Sequence, residues 1–270
     1  LKEIEEVLNK RVRKPINQVA TTMFTSGSTG LPKGVSFSIY NLVTKRFARA
    51  AAVPEIGHKE VMLCFLPLFH TFGRYLEMLG SIYWYGTYVF AGNTASETLL
   101  SLVPKVNPSI FISIPLRWMQ LYEKIMELVK PNDSNKEIAL KIKSVVGVRL
   151  RWGLSAAGYL EPKVFQFFQD HGIFLCSGFG MTEATGGITM TPPGKYIEST
   201  TGIPLPGVNS RFTSESEMEI NGHYIARYLE DAGPDDKIAF PTYSENDFWM
   251  STGDIFRKTN EGYYEIIDRL

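Results

Sequence analysis

Thr25-Ser-Gly-Ser-Thr-Gly-Leu-Pro-Lys-Gly34 gathers three glycines, four hydroxyls and one lysine in ten residues. Glycines let a backbone approach an anion closely and take conformations that other residues resist. Thr25, Ser26, Ser28 and Thr29 offer hydroxyl donors, and Lys33 adds a point positive charge. On composition alone a flexible Ser/Gly loop would fit as well. Two other loops fail on spacing. The Walker loop ends in Gly-Lys-Ser/Thr, whereas Gly34 follows Lys33 here, and Gly27 directly precedes Ser28, which breaks Gly-x-Ser-x-Gly. The stretch reads as a grip for phosphates.

Outward from the loop, strand-like runs alternate with helical patterns. Residues 17–25 form a β-type run into the loop, and Ser38 is placed to cap a helix over Ile39 to Val53. Apolar residues at 39, 42, 43, 47, 50 and 51 follow a helical period. Strands are expected at Val61 to Leu66, Thr87 to Ala91, Ser109 to Ile114, Ser144 to Leu154 and Ile173 to Ser177. Helices at Tyr75 to Tyr85, Ser96 to Val103, Leu116 to Val129, Lys136 to Lys143 and Glu161 to Asp170 separate them. This alternation predicts an α/β fold with a layered, mostly parallel sheet flanked by helices. Beyond Gly194 the β-like pieces are short: Met218 to Ile220, His223 to Tyr228, Trp249 to Met250, Asp254 to Arg257 and Tyr263 to Ile267. They predict a small antiparallel β-barrel-like subdomain. The expected division is 1–193 and 194–270.

The 270 residues are 44% apolar and 21% charged, an ordinary globular composition. Lys plus Arg and Asp plus Glu both number 28, so no net charge drives binding to nucleic acid or an anionic membrane. Cys64 and Cys176 sit in apolar runs without metal-ligand spacing, as expected for buried strand residues in a reducing, cytoplasmic compartment. No apolar run approaches the ~18 residues of a membrane span. Peripheral contact with a bilayer stays open. The chain has no initiating Met, and reads as a piece of something longer.

Further blocks follow the loop in order. They are Leu66-Pro-Leu-Phe-His70, Ser155-Ala-Ala-Gly-Tyr-Leu160, Gly178-Phe-Gly-Met-Thr-Glu183, Ser251-Thr-Gly-Asp254 and Asp268-Arg269. With Thr25 through Val35, they resemble the adenylate-forming superfamily of acyl-CoA synthetases, luciferases and peptide-synthetase adenylation domains. The resemblance covers essentially the whole chain, including Thr201-Gly-Ile-Pro-Leu-Pro-Gly207 and Glu219-Ile-Asn-Gly222. It implies an ATP site in which Thr25, Ser26, Gly27, Ser28, Thr29, Gly30 and Lys33 hold phosphates. Ala156, Ala157 and Gly158 would lie along adenine, although this segment departs from the usual order. Phe179 would stack on adenine, followed by Gly180 and Met181; the family more often has Tyr at the aromatic position. The resemblance makes Thr182 the α-phosphate contact and Glu183 the Mg²⁺ ligand. It puts His70 beside the acyl pocket and Asp254 and Arg269 on the ribose. Standing alone, His70 would more often be a structural histidine.

The implied chemistry joins a carboxylic acid to ATP as an acyl-adenylate, then transfers the acyl group to coenzyme A. Leu66 through Glu77 looks most like long-chain fatty acyl-CoA synthetases, where an Arg follows the His, here Arg74. Tyr75, Met78, Leu79, Tyr83, Trp84, Trp118 and Met119 would wall a lipid tunnel, although such a stripe is more often core. The family's lysine-bearing C-terminal lid domain is expected to be absent, leaving a poorly active fragment. Two alternatives stay open: loading of a carrier-protein thiol, as in acyl-AMP ligases and peptide synthetases, and an inactive nucleotide-binding scaffold.

Overall fold

The computed structural model describes residues 15–25, 32–229 and 248–269. Its backbone is a seven-stranded sheet in the order β4-β3-β5-β6-β7-β8-β9. Strands β3 (Val61–Cys64), β4 (Thr87–Phe90), β5 (Ile110–Ser113), β6 (Trp152–Ala156) and β7 (Phe174–Met181) run parallel. Strands β8 (Gly186–Met190) and β9 (Ile203–Pro204) add an antiparallel edge. The helices are α1 (Ile39–Ala52), α2 (Leu79–Tyr83), α3 (Ser96–Val106), α4 (Pro115–Met126), α5 (Asn135–Val146) and α6 (Pro162–Asp170). The α/β expectation holds.

Strands β5 and β6 are almost wholly buried, which suits a parallel sheet covered on both faces. Trp118 of α4 packs edge-on against Phe111 at 5.3 Å and Phe168 at 5.2 Å, and its indole N–H donates to the Leu154 carbonyl at 3.1 Å. Those contacts make it core. A π-helical turn, Phe72–Met78, precedes α2, so the expected helix from Tyr75 begins earlier and is wider than an α-helix.

Two antiparallel sheets complete the fold. One is β1 (Val19–Thr25), β2 (Lys33–Ser38) and β12 (Arg227–Tyr228); the other is β10 (Asn209–Phe212), β11 (Glu217–Asn221), β13 (Met250–Lys258) and β14 (Tyr264–Arg269). Main-chain bonds from Thr201 N–H to the Tyr264 carbonyl and from Tyr264 N–H to the Gly202 carbonyl, both 2.8 Å, tie this second sheet to the edge of the large one.

Three expectations change. Ser144 to Val146 closes α5 instead of opening a strand, because Val145 and Val146 lie on that helix's buried face and Gly147, at φ 86°, ends it. Of His223 to Tyr228 only the last two residues form a strand, and they pair with β2. The pieces near Met250 and Asp254 are one continuous strand.

Candidate active site

The strands that flank the glycine-rich stretch pair with one another. Strands β1 and β2 pair antiparallel with Thr25 opposite Lys33, and the Thr25 hydroxyl reaches the Lys33 carbonyl at 3.5 Å. Ser26, Gly27, Ser28, Thr29 and Gly30 lie outside the described residues. Strand β12 lies along the other edge of β2 and brings Tyr228 to the base of the loop. The Lys33 ammonium stands 5.4 Å from the Tyr228 ring centre, and the Tyr228 hydroxyl donates to Glu183 Oε1 at 2.9 Å. The Ala226 N–H also donates to the Glu183 carbonyl at 2.7 Å. Residues distant in sequence, Lys33, Glu183 and Tyr228, therefore meet at one corner.

Thr182 and Glu183 occupy a single 3₁₀ turn between β7 and β8, fixed by the Thr185 N–H donating to the Thr182 carbonyl at 2.9 Å. Among the described residues no group of three or more His, Cys, Asp or Glu side chains could hold a metal. A single carboxylate such as Glu183 nonetheless suits Mg²⁺, which keeps its waters and binds largely through substrate phosphates.

Ala157, Gly178, Phe179 and Gly180, at the ends of β6 and β7, border two cavities. Ala157, just past β6, holds a left-handed backbone at φ 65°, a conformation that costs a residue with a Cβ. One cavity, about 110 Å³, is bordered by Ala156, Ala157, Gly178, Phe179 and Gly180 together with residues of α1 and the π-helical turn. The other, about 700 Å³, is bordered by Ala157, Gly158, Phe179, Gly180, Thr201 and Arg269. Gly180 is required here, since a Cβ on it would come within 2.4 Å of the Gly186 carbonyl oxygen. Met181 borders neither cavity.

Asp254 of β13 and Arg269 of β14 are register partners, with Arg269 Nε 3.9 Å from Asp254 Oδ1. Burial raises the Asp254 carboxyl, Arg269 opposes the shift and Glu217 adds to it. Phe179 meets Phe256 of the same strand edge-on at 5.0 Å. Phe179 and Arg269 border the larger cavity, while Asp254, Thr182 and Glu183 border neither cavity.

His70 is exposed beside Phe69, their ring centres 4.6 Å apart, and it is the following residues, Thr71 and Phe72, that border the smaller cavity. Arg74 turns away and donates to the Thr21 hydroxyl at 3.0 Å. Of the residues expected to wall a lipid tunnel, Tyr75 alone borders the smaller cavity.

Helix α1 contributes what its sequence pattern hid. It is capped by Ser38, whose hydroxyl accepts from Asn41 N–H while Asn41 Oδ1 accepts from Ser38 N–H. Yet it buries Asn41, Lys45, Arg46 and Arg49 and exposes Phe47 by 61%. Lys45 Nζ donates to the Gly187 carbonyl at 2.6 Å and stands 3.7 Å from the Tyr224 ring centre. Burial lowers the Lys45 ammonium well below its usual value, and the neighbouring Arg49 and Arg46 add to this. Arg46 and Arg49 border the smaller cavity. Reading apolar periodicity alone missed this face; the run Lys45-Arg46 with Arg49 one turn on was the available signal.

Residues 2–223 match the model of the AMP-binding enzyme family. A curated relative, long-chain-fatty-acid–CoA ligase 1 of Schizosaccharomyces pombe, is 28% identical over 93% of this chain and 44% of its own length. The chain therefore spans about half the length, or less, of the curated relatives it matches. Two solved structures share the fold, each at 20% identity. Apo MatB from Rhodopseudomonas palustris superposes with a TM-score of 0.75, covering 96% of this chain and 49% of that one. The o-succinylbenzoate coenzyme A synthetase MenE from Bacillus subtilis, in complex with ATP and magnesium ion, does so at 0.72, covering 98% and 54%. No helix among the described residues is long and apolar enough to cross a membrane. The family match spans most of the chain's length, and the chain belongs to the AMP-binding enzyme family.

Proposed function

We propose that the chain carries the nucleotide and acyl sites of an acid–thiol ligase that makes an acyl-adenylate from ATP and a carboxylic acid, then a coenzyme A thioester. The observation that carries this is the shared wall: Ala157, Gly178, Phe179 and Gly180 border both cavities. Two substrates bound in the two cavities would meet there.

In this reading the larger cavity takes the nucleoside, with Phe179 against the base and Asp254 and Arg269 on the ribose. A carboxylate suits paired hydroxyls because it accepts two donors at once. The glycine-rich loop from Thr25 to Lys33 cradles the phosphates and Thr182 donates to the α-phosphate. Magnesium on Glu183 would screen the charge between two anionic reactants. Tyr228 orients the Glu183 carboxylate through the hydrogen bond already in place. The acid's carboxylate oxygen bonds to the α-phosphorus as the bond to the bridging oxygen breaks, and pyrophosphate leaves with the electron pair. The coenzyme A thiolate then bonds to the acyl carbon and AMP departs. Catalysis here is mostly positioning and electrostatic stabilisation, so no Ser/His/Asp set is needed.

The names of the curated relatives and the block from Leu66 to Glu77 support fatty acids, long-chain ones included, as the class to test first. The division at residue 193, with a β-rich part leading to a hinge at Asp268-Arg269, belongs to the same proposal. The test is ATP–pyrophosphate exchange with the full chain across fatty, aromatic and amino acids. Exchange with at least one carboxylic acid that Asp254→Ala lowers by at least ~100-fold is expected; the absence of exchange with every acid would refute the reading.

A further inference from the structure

The buried polar groups of helix α1 differ in how far they are satisfied. Asn41 is satisfied: its amide donates to the His223 carbonyl at 2.7 Å and the Ile225 carbonyl at 3.1 Å. Lys45 has the Gly187 carbonyl and the Tyr224 ring. Arg49, only 4% exposed, has one weak acceptor, the Met190 sulfur at 3.0 Å from Nη1, and its Nε has none. Arg46, 8% exposed, makes no hydrogen bond or ion pair among the described residues, and its Nη1 is fully buried. Both guanidinium groups border the smaller cavity, and no acidic residue does.

An unpaired buried charge costs several kcal/mol, and guanidinium stays protonated in proteins, so ionisation offers no escape. Burial lowers both arginines; Arg49 lowers Arg46 further while Tyr75 and Tyr83 oppose the shift, and at Arg49 Cys176 opposes it, with no carboxylate acting on either. The sequence also makes room for them. A Cβ at Gly187 would sit 2.2 Å from Arg49 Nη2, so a glycine at this position of β8 is what admits the guanidinium. The walls between them are mixed: Phe72, Leu76 and Leu154 are apolar, while Thr185 and Thr189 carry hydroxyls. A volume of about 110 Å³ lies well below the ~300–1,000 Å³ of pockets for larger ligands, and does not hold a long aliphatic tail.

We infer that the acid activated at this site is a short aliphatic acid carrying a second carboxylate, which Arg46 and Arg49 bind in the smaller cavity. This rests on the acid-activating reading above and narrows its acid. The planar fork of guanidinium matches a carboxylate in paired hydrogen bonds, and two forks in one pocket favour an anion over a neutral polar group. The reacting carboxylate belongs at the shared wall, so the anion that compensates the arginines is the remote one. Apolar Phe72, Leu76 and Leu154 line the methylene path between the two ends.

The test is ATP–pyrophosphate exchange by the full chain with acids matched in length, hexanoate against adipate and octanoate against suberate, with palmitate as the long-chain control. We expect the dicarboxylate of each pair to exceed its monocarboxylate at least ~10-fold in kcat/KM, with palmitate inactive. Arg49→Met should then lower that ratio by ~10-fold or more, and Arg49→Lys should restore part of it. If the variant does not fold, the matched pairs on the unaltered protein still decide, supported by its thermal shift with adipate against hexanoate. Exchange with monocarboxylates at equal or higher efficiency overturns the inference and leaves the acid-activating reading standing. So does an equal loss for both acids in Arg49→Met, which would place the arginines on the reacting carboxylate. Exchange with no acid refutes the acid-activating reading itself.

Discussion

Helices α1 and α6 bury opposite kinds of side chain. Helix α6 hides Val164, Phe165 and Phe168 and turns Lys163 and Gln166 outward. Helix α1 hides Lys45, Arg46 and Arg49 and leaves Val43 and Phe47 in solvent. The first arrangement is what the hydrophobic effect produces unaided, since removing apolar area from water stabilises at ~25 cal/mol per Å². The second runs against that force and against charge desolvation together. A fold that keeps it is holding those charges for something outside itself. The difference between the two helices separates the part of the molecule that stabilises it from the part that binds.

The largest expected effect sharpens the α6 side. Phe168→Ala removes a fully buried ring that packs on Trp118, and should cost roughly 3–5 kcal/mol in urea unfolding. A loss below ~1 kcal/mol would mean that α6 is not the core element described here.

Next comes Glu77, a buried carboxyl on the π-helical turn. It accepts from Leu66 N–H at 3.2 Å, its Oε1 has no partner, and burial raises its carboxyl from 4.5 to about 8. Cys64 of β3 and Tyr88 of β4 face it, and both are themselves raised. The folded state keeps a proton that the unfolded chain releases above pH 4.5, so this stabilisation is complete below 4.5 and drains away as pH climbs to about 8. The loss across that window should be about 4 kcal/mol, and Glu77→Gln should flatten it. An unchanged slope in that variant would show that another group carries it.

The two capping boxes offer a smaller contrast. Ser38 is buried at the start of α1 and Ser134 is exposed at the start of α5. Ser38→Ala should cost about 2 kcal/mol and Ser134→Ala about 0.5 kcal/mol, the two ends of the usual range for caps. Equal costs would argue that burial adds nothing to the α1 cap.

Smallest is the stability change for Arg49→Met, expected to lie between no effect and a gain of about 1 kcal/mol, because a nearly unpaired buried charge is replaced by an apolar chain. A loss of several kcal/mol would make Arg49 a structural residue and dissolve the contrast with α6.

The same contrast explains what could be read from the sequence. The parallel sheet was legible because Ile110 to Ser113 and Leu175-Cys176 lie in short apolar runs bounded by helical patterns, and both are buried. The cap at Ser38 was legible because capping depends on local chemistry. The blocks around Gly178, Thr182 and Asp254 could be found because they follow the glycine-rich loop in the order of blocks in a known family. What stayed hidden depends on long-range pairing: β12 joining β2, and Tyr228 reaching Glu183. The buried face of α1 was hidden for another reason. Periodicity assigns the apolar stripe to the core, and here the neighbouring β8 accepts the charged stripe because Gly187 leaves Arg49 space. Pattern reading fails where folding energy is set against binding.

A single competition tests the central claim. The full chain is given ATP, magnesium and equal amounts of adipate and hexanoate, and the acyl-adenylates formed are separated by mass spectrometry. The account predicts that the adipoyl-adenylate predominates by ~10-fold or more. A product mixture in which the hexanoyl-adenylate equals or exceeds it would contradict the account.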